Sequence, residues 1–443
     1  MPINQLVNKK VVVFGSNCAI KNFANFLLKN DISVIFSDEK ECNFDIEKKE
    51  LVSFADRTNI NWSEIDCLVV WQDDKSIVEM AKKNNCPVFS IVEFFEKYFS
   101  EYNYIGLIGE TGSSIASDML KYLFCKMKMN LDYDICKKES YFTLAKFGDT
   151  KSYILELDQE IFPLLQSPHF NNIILFDLNY NNNDIAKIKN MILNQTEDDF
   201  TILNIDNRDV KEFYNSVKDD SNYKTQLIPI SINKIQKDGV SFVNNEIYTN
   251  VDDKNDEFIT NEFKNLDGEQ NKTNILAVST LLLKLGYNIQ EIIEDLYNFK
   301  TSDDVFELVL HKENFVFIND IKNKNKAQSL ISFDNIYWIL CIDEIDFEFS
   351  EFLKLVEYFD KVKYVFITGN YNEEILKIFR DNEINYFIMY DMNNIFKKIE
   401  ELMENEKREE KIIVLLSSIN DIEDSSFYEE CSEDFEKMVN EGE

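Results

Sequence analysis

The chain is expected to fold as an α/β protein of three domains, spanning 1–103, 104–298 and 299–443. Length is one reason, since 443 residues exceed a single ordinary core and a domain takes about 100–200 residues. Another is the alternation of short apolar β runs with amphipathic stretches, the pattern of parallel strands covered by helices. It restarts near residues 104 and 300. The last is the placement of glycine. Only 10 residues are glycine, well below the ~7% of average proteins, yet Gly106, Gly109 and Gly112 all lie within YIGLIGETGSSIAS, residues 104–117.

In the first block KKVVVFGS (9–16) reads as a strand and turn, AIKNFANFLLKN (19–30) as a helix, ISVIFSDEK (32–40) as a second strand and DCLVVWQ (66–72) as a third. Gly15 closes the first strand. Asp38 ends the second, where doubly wound sheets often place an acid near a ribose or nucleotide. Against the GxGxxG fingerprint the turn keeps one glycine, so dinucleotide binding is not expected.

The second block opens at YIGLIGETG, followed by the helix SSIASDMLKYLFCKM and the strands KSYILELD, NNIILFDL and DFTILNID. KDGVSFVNNEIYTN reads as a hairpin before an Asn/Asp-rich loop at 250–273, and TNILAVSTLLLKLGY and IQEIIEDLYNF as helices, completing a mononucleotide-binding unit. The third block holds FVFIND, IYWILCID, KYVFITG, NYFIMY and KIIVLLSS as strands between helices, a second Rossmann-like unit. The tail 423–443, with nine acids and one lysine, reads as a solvated acidic helix.

Composition narrows the function. Lys plus Arg number 47 against 81 Asp plus Glu, a formal charge of −34, and such a field repels phosphate backbones and anionic membrane surfaces. No nucleic-acid partner is expected. No apolar run approaches the roughly 20 residues that cross a bilayer, and the amino terminus lacks a signal-peptide pattern, so a soluble cytoplasmic monomer is expected. Eight cysteines without a CxxC pair suit reduced thiols, and two histidines make a His-rich zinc site implausible. Any metal should be Mg²⁺ on oxygen ligands.

A phosphate loop works because backbone N–H groups and a helix N-terminus face the anion, while a lysine neutralises its terminal oxygens and a hydroxyl binds Mg²⁺. Gly109, Gly112 and Ser114 supply the turn and the hydroxyl. At the lysine position stands Ser113. Taken alone, the stretch is equally readable as a tight βα turn with serine caps.

The order of GETGSS, YILELD, QNKTN, FINDIKNKN and VLLSS along the chain resembles the Mur ligases, and within them the MurD type. The resemblance runs from KKVVVFG to FYEECSEDFEKMV. It implies a UDP-binding Rossmann-like domain at 1–103, a central P-loop-type ATPase domain at 104–298, and a carboxy-terminal domain at 299–443 that closes over ADP and the incoming amino acid. The implied reaction of peptidoglycan precursor synthesis uses ATP and Mg²⁺ to phosphorylate a carboxylate of UDP-N-acetylmuramoyl-L-alanine; the amine of D-glutamate then attacks the acyl phosphate.

Carried onto this sequence, the TGTNGKTT loop of the family falls on Ile108 to Ile115, so that Gly109, Gly112, Ser113 and Ser114 would meet the nucleotide and Ser114 the metal. The acid of LELSS falls on Glu156, implying a Mg²⁺ ligand and catalytic group. The asparagines of HNxxN fall on Asn271 and Asn274, near adenine, with Gln270 in place of the histidine. In the NDSKATN loop Asp320 would meet the ribose and Lys322 the amino-acid carboxylate, with Asn325 beside it. Ser417 matches the serine that helps hold D-glutamate, and Gly15 and Asp38 lie where the UDP-sugar would sit. In isolation Glu156 and Asp320 could as well be caps, Asn271 and Asn274 helix-start residues, and Lys322 part of a solvated loop.

Departures are concentrated at the chemistry. Ser113 replaces the loop lysine, Asp304 and Val305 replace a histidine and an arginine, and DHLDRH has become NYNNND at 179–184. The carbamoylated lysine aligns with Ile188, between Lys187 and Lys189; Lys187 is the candidate, with Lys189 left open. The SPG turn has become Trp71, Gln72 and Asp73, and Cys431 stands for an arginine of the closing helix. The expectation is a MurD-type ligase with a degraded site, or an inactive relative that binds a nucleotide-sugar or serves as a scaffold.

Overall fold

A computed structural model describes residues 9–14, 23, 24, 26–28, 31–37, 51–70, 74–98, 103–126, 142–147, 150–157, 165, 168–251, 254–260, 263, 266, 268–301, 307–312, 314–322, 330, 331, 333–343, 349–403, 411–418 and 426–441. They form separate sheets of five, nine and six strands with helices, the α/β class that the sequence predicts. By internal contacts the chain divides into one unit of 1–259 with 276–292 and another of 260–275 with 293–443.

In the first unit, β1 (Lys10–Phe14), β2 (Ser33–Ser37), β3 (Val52–Phe54), β4 (Cys67–Val70) and β5 (Val88–Ser90) pair in parallel in the order β3-β2-β1-β4-β5. The run of valines in β1 is buried because both sheet faces are covered: Val11 and Val13 pack with Phe23, Phe94 and Phe95, and Val12 with Leu68 and Ile77. Helices α1 (Lys75–Lys83), capped by Asp74, and α2 (Ile91–Tyr98) supply part of that cover. Residues 23, 24 and 26–28 of the expected first helix are helical.

The nine-stranded sheet holds β6 (Asn103–Ile108), then helix α3 (Ser113–Lys126), β7 (Phe142–Phe147), β8 (Thr150–Leu157), β9 (Asn172–Leu175), α4 (Asn182–Leu193), β10 (Phe200–Asn204), α5 (Arg208–Val217), β11 (Gln226–Ser231), β12 (Val240–Val243), β13 (Glu246–Val251) and β14 (Lys254–Ile259). Their order is β14-β13-β12-β11-β10-β9-β6-β8-β7, parallel from β12 to β8 with antiparallel strands at the two edges. The β12–β13 hairpin turns at Asn244 and Asn245, both at positive φ (54° and 61°), which asparagine tolerates. Residues 254–259 extend the sheet where the sequence reads as loop: a polar strand at an edge needs no buried face, so its pattern lacks the apolar signal.

Helices α6 (Glu269–Lys284) and α7 (Ile289–Leu296) follow, α6 beginning in the second unit and ending in the first. The second unit holds β15 (Glu307–Lys312), β16 (Phe315–Asp320), β17 (Ile336–Ile342), α8 (Phe349–Lys354), β18 (Val362–Gly369), α9 (Glu373–Asp381), β19 (Tyr386–Ile388), α10 (Met392–Met403), β20 (Ile412–Ser418) and α11 (Ser426–Glu441). Strand order is β15-β16-β20-β17-β18-β19, parallel except for β15. Every residue of β17 is buried, Trp338 among Phe352, Phe359 and Phe379 and Tyr337 against Tyr364. The acidic tail is helical, but not solvated all round: Tyr428, Cys431, Phe435 and Val439 of α11 bury one stripe in this core. No helix among the described residues is long and apolar enough to cross a membrane.

Candidate functional site

The glycine turn sits at the carboxyl end of β6, a central strand between β8 and β9. Gly112 has φ +89°, a left-handed conformation open to glycine, and α3 starts at the next residue. Gly109 is required by space: a Cβ there would stand 2.7 Å from Phe176 Cβ and 3.1 Å from Asp177 Oδ2. That closeness brings the residues after β9 onto the turn. Phe176 N donates to Ile108 O at 2.8 Å, and the Asp177 carboxylate accepts four bonds. Oδ1 accepts from Glu110 N (3.1 Å) and Asn179 N (3.3 Å), and Oδ2 from Thr111 N (2.9 Å) and Thr111 Oγ1 (2.8 Å). Asp177 is 2% exposed. Burial pushes its pKa above the usual carboxylate range, against the opposing pull of these hydrogen bonds.

Ser113 does not face outward as a lysine substitute. Its hydroxyl donates to Gly109 O at 2.9 Å, fastening the turn on itself. Ser114, the expected metal hydroxyl, is exposed in the first turn of α3. Glu156 lies on the neighbouring strand β8, level with Leu107 of β6. Lys121 Nζ stands 3.8 Å from Glu156 Oε1 and 3.1 Å from Asp118 Oδ1, so the acid expected to hold Mg²⁺ faces an ammonium. Among the described residues no group of three His, Cys, Asp or Glu side chains could hold a metal ion.

The segment at 179–184 holds a helix cap. Asn181 accepts from Asn183 N (3.0 Å) and Asp184 N (3.1 Å) at the start of α4, and its amide donates to Asp184 Oδ2. Ile188 is fully buried, Lys187 is half-buried, and Lys189 Nζ lies 5.4 Å from the Phe213 ring centroid. At the carboxyl end of β1, Arg57 packs over the Phe14 ring at 5.3 Å and pairs with Asp74 at 3.0 Å. Gly15, Asp38 and Trp71 to Asp73 lie outside the described residues, as do Asp304, Val305 and Asn325.

In the second unit, Gln270 Nε2 donates to Asn274 Oδ1 at 3.1 Å at the start of α6. Asn274 is fully buried, and its Nδ2 has no hydrogen-bond partner among the described residues. Asn271, also fully buried, lies one turn earlier. Asp320 ends β16, fully buried, in register with Ser417 of β20; Lys322 is exposed two residues on. Ser417 Oγ accepts from Trp338 Nε1 at 2.7 Å, a structural use of the hydroxyl expected to meet D-glutamate. Asn319 reaches Ser432 Oγ at 2.8 Å on α11.

The structure thus gathers Gly109, Gly112 and Ser113 in one turn and pairs Asp320 with Ser417. The residue missed from sequence is Asp177. Its signal was an apolar strand, NIIL, leading into an acid beside the glycine-turn strand.

A bound triphosphate needs the free N–H groups of such a turn, and those of Glu110 and Thr111 are engaged by Asp177. As the turn stands, these two N–H groups are held by a carboxylate, and this part of the turn does not fit a phosphate. Asn274 Nδ2, an orphaned buried donor, does suit a ring-nitrogen acceptor such as adenine offers.

No family model matches the chain. A curated protein of Rickettsia felis named UDP-N-acetylmuramoylalanine–D-glutamate ligase is 24% identical over 456 aligned positions, covering 98% of both chains. One of the same name from Rickettsia prowazekii is 25% identical over 356, covering 76% of this chain and 77% of its own. Among solved structures, the murein peptide ligase Mpl of Psychrobacter arcticus matches with a TM-score of 0.56 at 12% identity, over 97% of this chain and 99% of its own. With similarity to ligases of that name along most of its length, and with the matching fold, this chain is a distant and strongly diverged relative of the Mur ligases.

Proposed function

We propose that the chain is a MurD-type protein of peptidoglycan precursor synthesis that engages UDP-N-acetylmuramoyl-L-alanine but has lost effective ATP-driven addition of D-glutamate. The observation that carries this is the Ser113 hydroxyl turned onto Gly109 O: residues 109–114 contain no cation to meet developing phosphate charge. Losing one such stabilising group costs about 10²–10³ in rate, roughly 2.7–4 kcal/mol. The histidine and arginine replaced by Asp304 and Val305, and the lost DHLDRH segment, compound it.

By resemblance the division of labour would be Gly15 and Asp38 for the UDP-sugar in 1–103; the glycine turn, Ser114, Glu156 and Lys187 for phosphate, metal and catalysis in 104–298, with Asn271 and Asn274 for adenine; and Asp320, Lys322, Asn325 and Ser417 for ribose and amino acid in 299–443. By resemblance, ATP and Mg²⁺ would supply the phosphoryl group that activates the carboxylate of UDP-N-acetylmuramoyl-L-alanine. A second reading, a slow ligase that still holds the nucleotide, is favoured by the orphaned Asn274 Nδ2.

The test combines calorimetry with UDP-N-acetylmuramoyl-L-alanine and an assay of ATP-dependent amide formation from it and D-glutamate. The expected result is saturable binding of the UDP-sugar with product at background, both in the wild type and in Ser113→Lys. A rise of ~10²-fold in product on Ser113→Lys alone would instead establish the slow ligase, with charge at the loop as its main defect.

A further inference from the structure

We infer that Asp177 is the resident anion of the glycine turn and decides what the turn admits, excluding nucleotide phosphates while its carboxylate stays in place. This rests on the reading that the turn derives from a phosphate loop. Both of its oxygens are used, Oδ1 by Glu110 N and Asn179 N, and Oδ2 by Thr111 N and Thr111 Oγ1. Two of those donors are the turn's own amides. A phosphate bound there would need the same N–H groups, because an anion at such a turn is held chiefly by backbone donors.

The surroundings fix the carboxylate in position. Asp177 is 2% exposed, and the absence of a side chain at Gly109 lets it approach, since a Cβ there would stand 3.1 Å from Oδ2. The turn's acceptor at Gly109 O is met by Ser113 Oγ, which closes the turn further on itself. Charge argues the same way. Residues 109–114 hold one acid, Glu110, and no base, while Lys121 of α3 is paired with Asp118 and Glu156. An incoming polyphosphate would therefore meet a buried carboxylate and a second acid with no loop cation to offset them.

Tripolyphosphate and ATP, each with and without Mg²⁺, serve as probes of the full chain, read by calorimetry and by backbone amide shifts of residues 109–114. In the wild type, Glu110 N and Thr111 N should be unmoved by tripolyphosphate. Asp177→Asn keeps the size of the side chain, removes its charge and should bind tripolyphosphate at least about tenfold tighter, as expected when a like charge within a few ångström is neutralised. Unchanged or weaker binding by a folded Asp177→Asn overturns the inference. If that variant does not fold, the wild type decides: saturable tripolyphosphate binding that shifts these two amides overturns it, and their indifference to ATP at saturation elsewhere supports it. Amide formation is assayed separately, so an active wild-type ligase would sink the proposed function, whereas equal tripolyphosphate affinity of wild type and Asp177→Asn would sink only the role of Asp177.

Discussion

Ser417 shows how a residue in the right place for a ligand can be held by the core instead. Its oxygen accepts the indole N–H of Trp338, one of the largest fully buried side chains, at 2.7 Å. Ser417→Ala would strand that donor, and a buried donor without a partner costs about 1–3 kcal/mol. Urea denaturation of Ser417→Ala should show a loss of that size; wild-type stability would mean the hydroxyl has no structural duty. The glycine turn itself was readable from sequence, because glycine is scarce here and its cluster stands out. The engagement of that turn was not: Thr111 and Asp177 are 66 positions apart, and their contact follows from the adjacency of β6 and β9 in the sheet. No local pattern in GETGSS announces whether its amides are free. Likewise the resemblance of YILELD suggested a metal ligand at Glu156, while the ammonium facing it comes from Lys121, on the preceding helix α3.

Buried strands with an unbroken apolar run were the most readable elements, since IYWILCI and NIIL carry a strong apolar signal and lie inside their sheets. Short or edge strands were not. Val52–Phe54 and Val88–Ser90 have three residues each, too few to show a period, and Phe142–Phe147, Gln226–Ser231 and Glu307–Lys312 also escaped, two of them being edge strands. The segment NYNNND has a local structural use. Its Asn181 caps α4 by accepting from Asn183 N and Asp184 N, and Asp184 closes back on the Asn181 amide. Asn181→Ala should lower stability by about 0.5–2 kcal/mol, the usual cost of a lost N-cap. Thermal unfolding that leaves the variant level with wild type would remove the capping account of these residues.

Across the whole chain, a formal charge of −34 stores self-repulsion that salt should relieve. Raising NaCl from about 0.1 M to about 1 M shortens the screening length from ~10 Å to ~3 Å, and the melting temperature should climb by a few degrees. A fall would place the balance of charge in favourable pairs rather than in repulsion. The α/β class and the similarity to Mur ligases were readable along the sequence, while the state of the central turn needed the strands laid side by side. That turn has a consequence for history. Restoring a lysine at 113 leaves the Glu110 and Thr111 amides occupied, and replacing Asp177 leaves the turn without a cation. On the proposed reading each change alone would gain little turnover, and an efficient ligase would need both together. The acid in the turn would then act as a ratchet, since neither change is useful without the other.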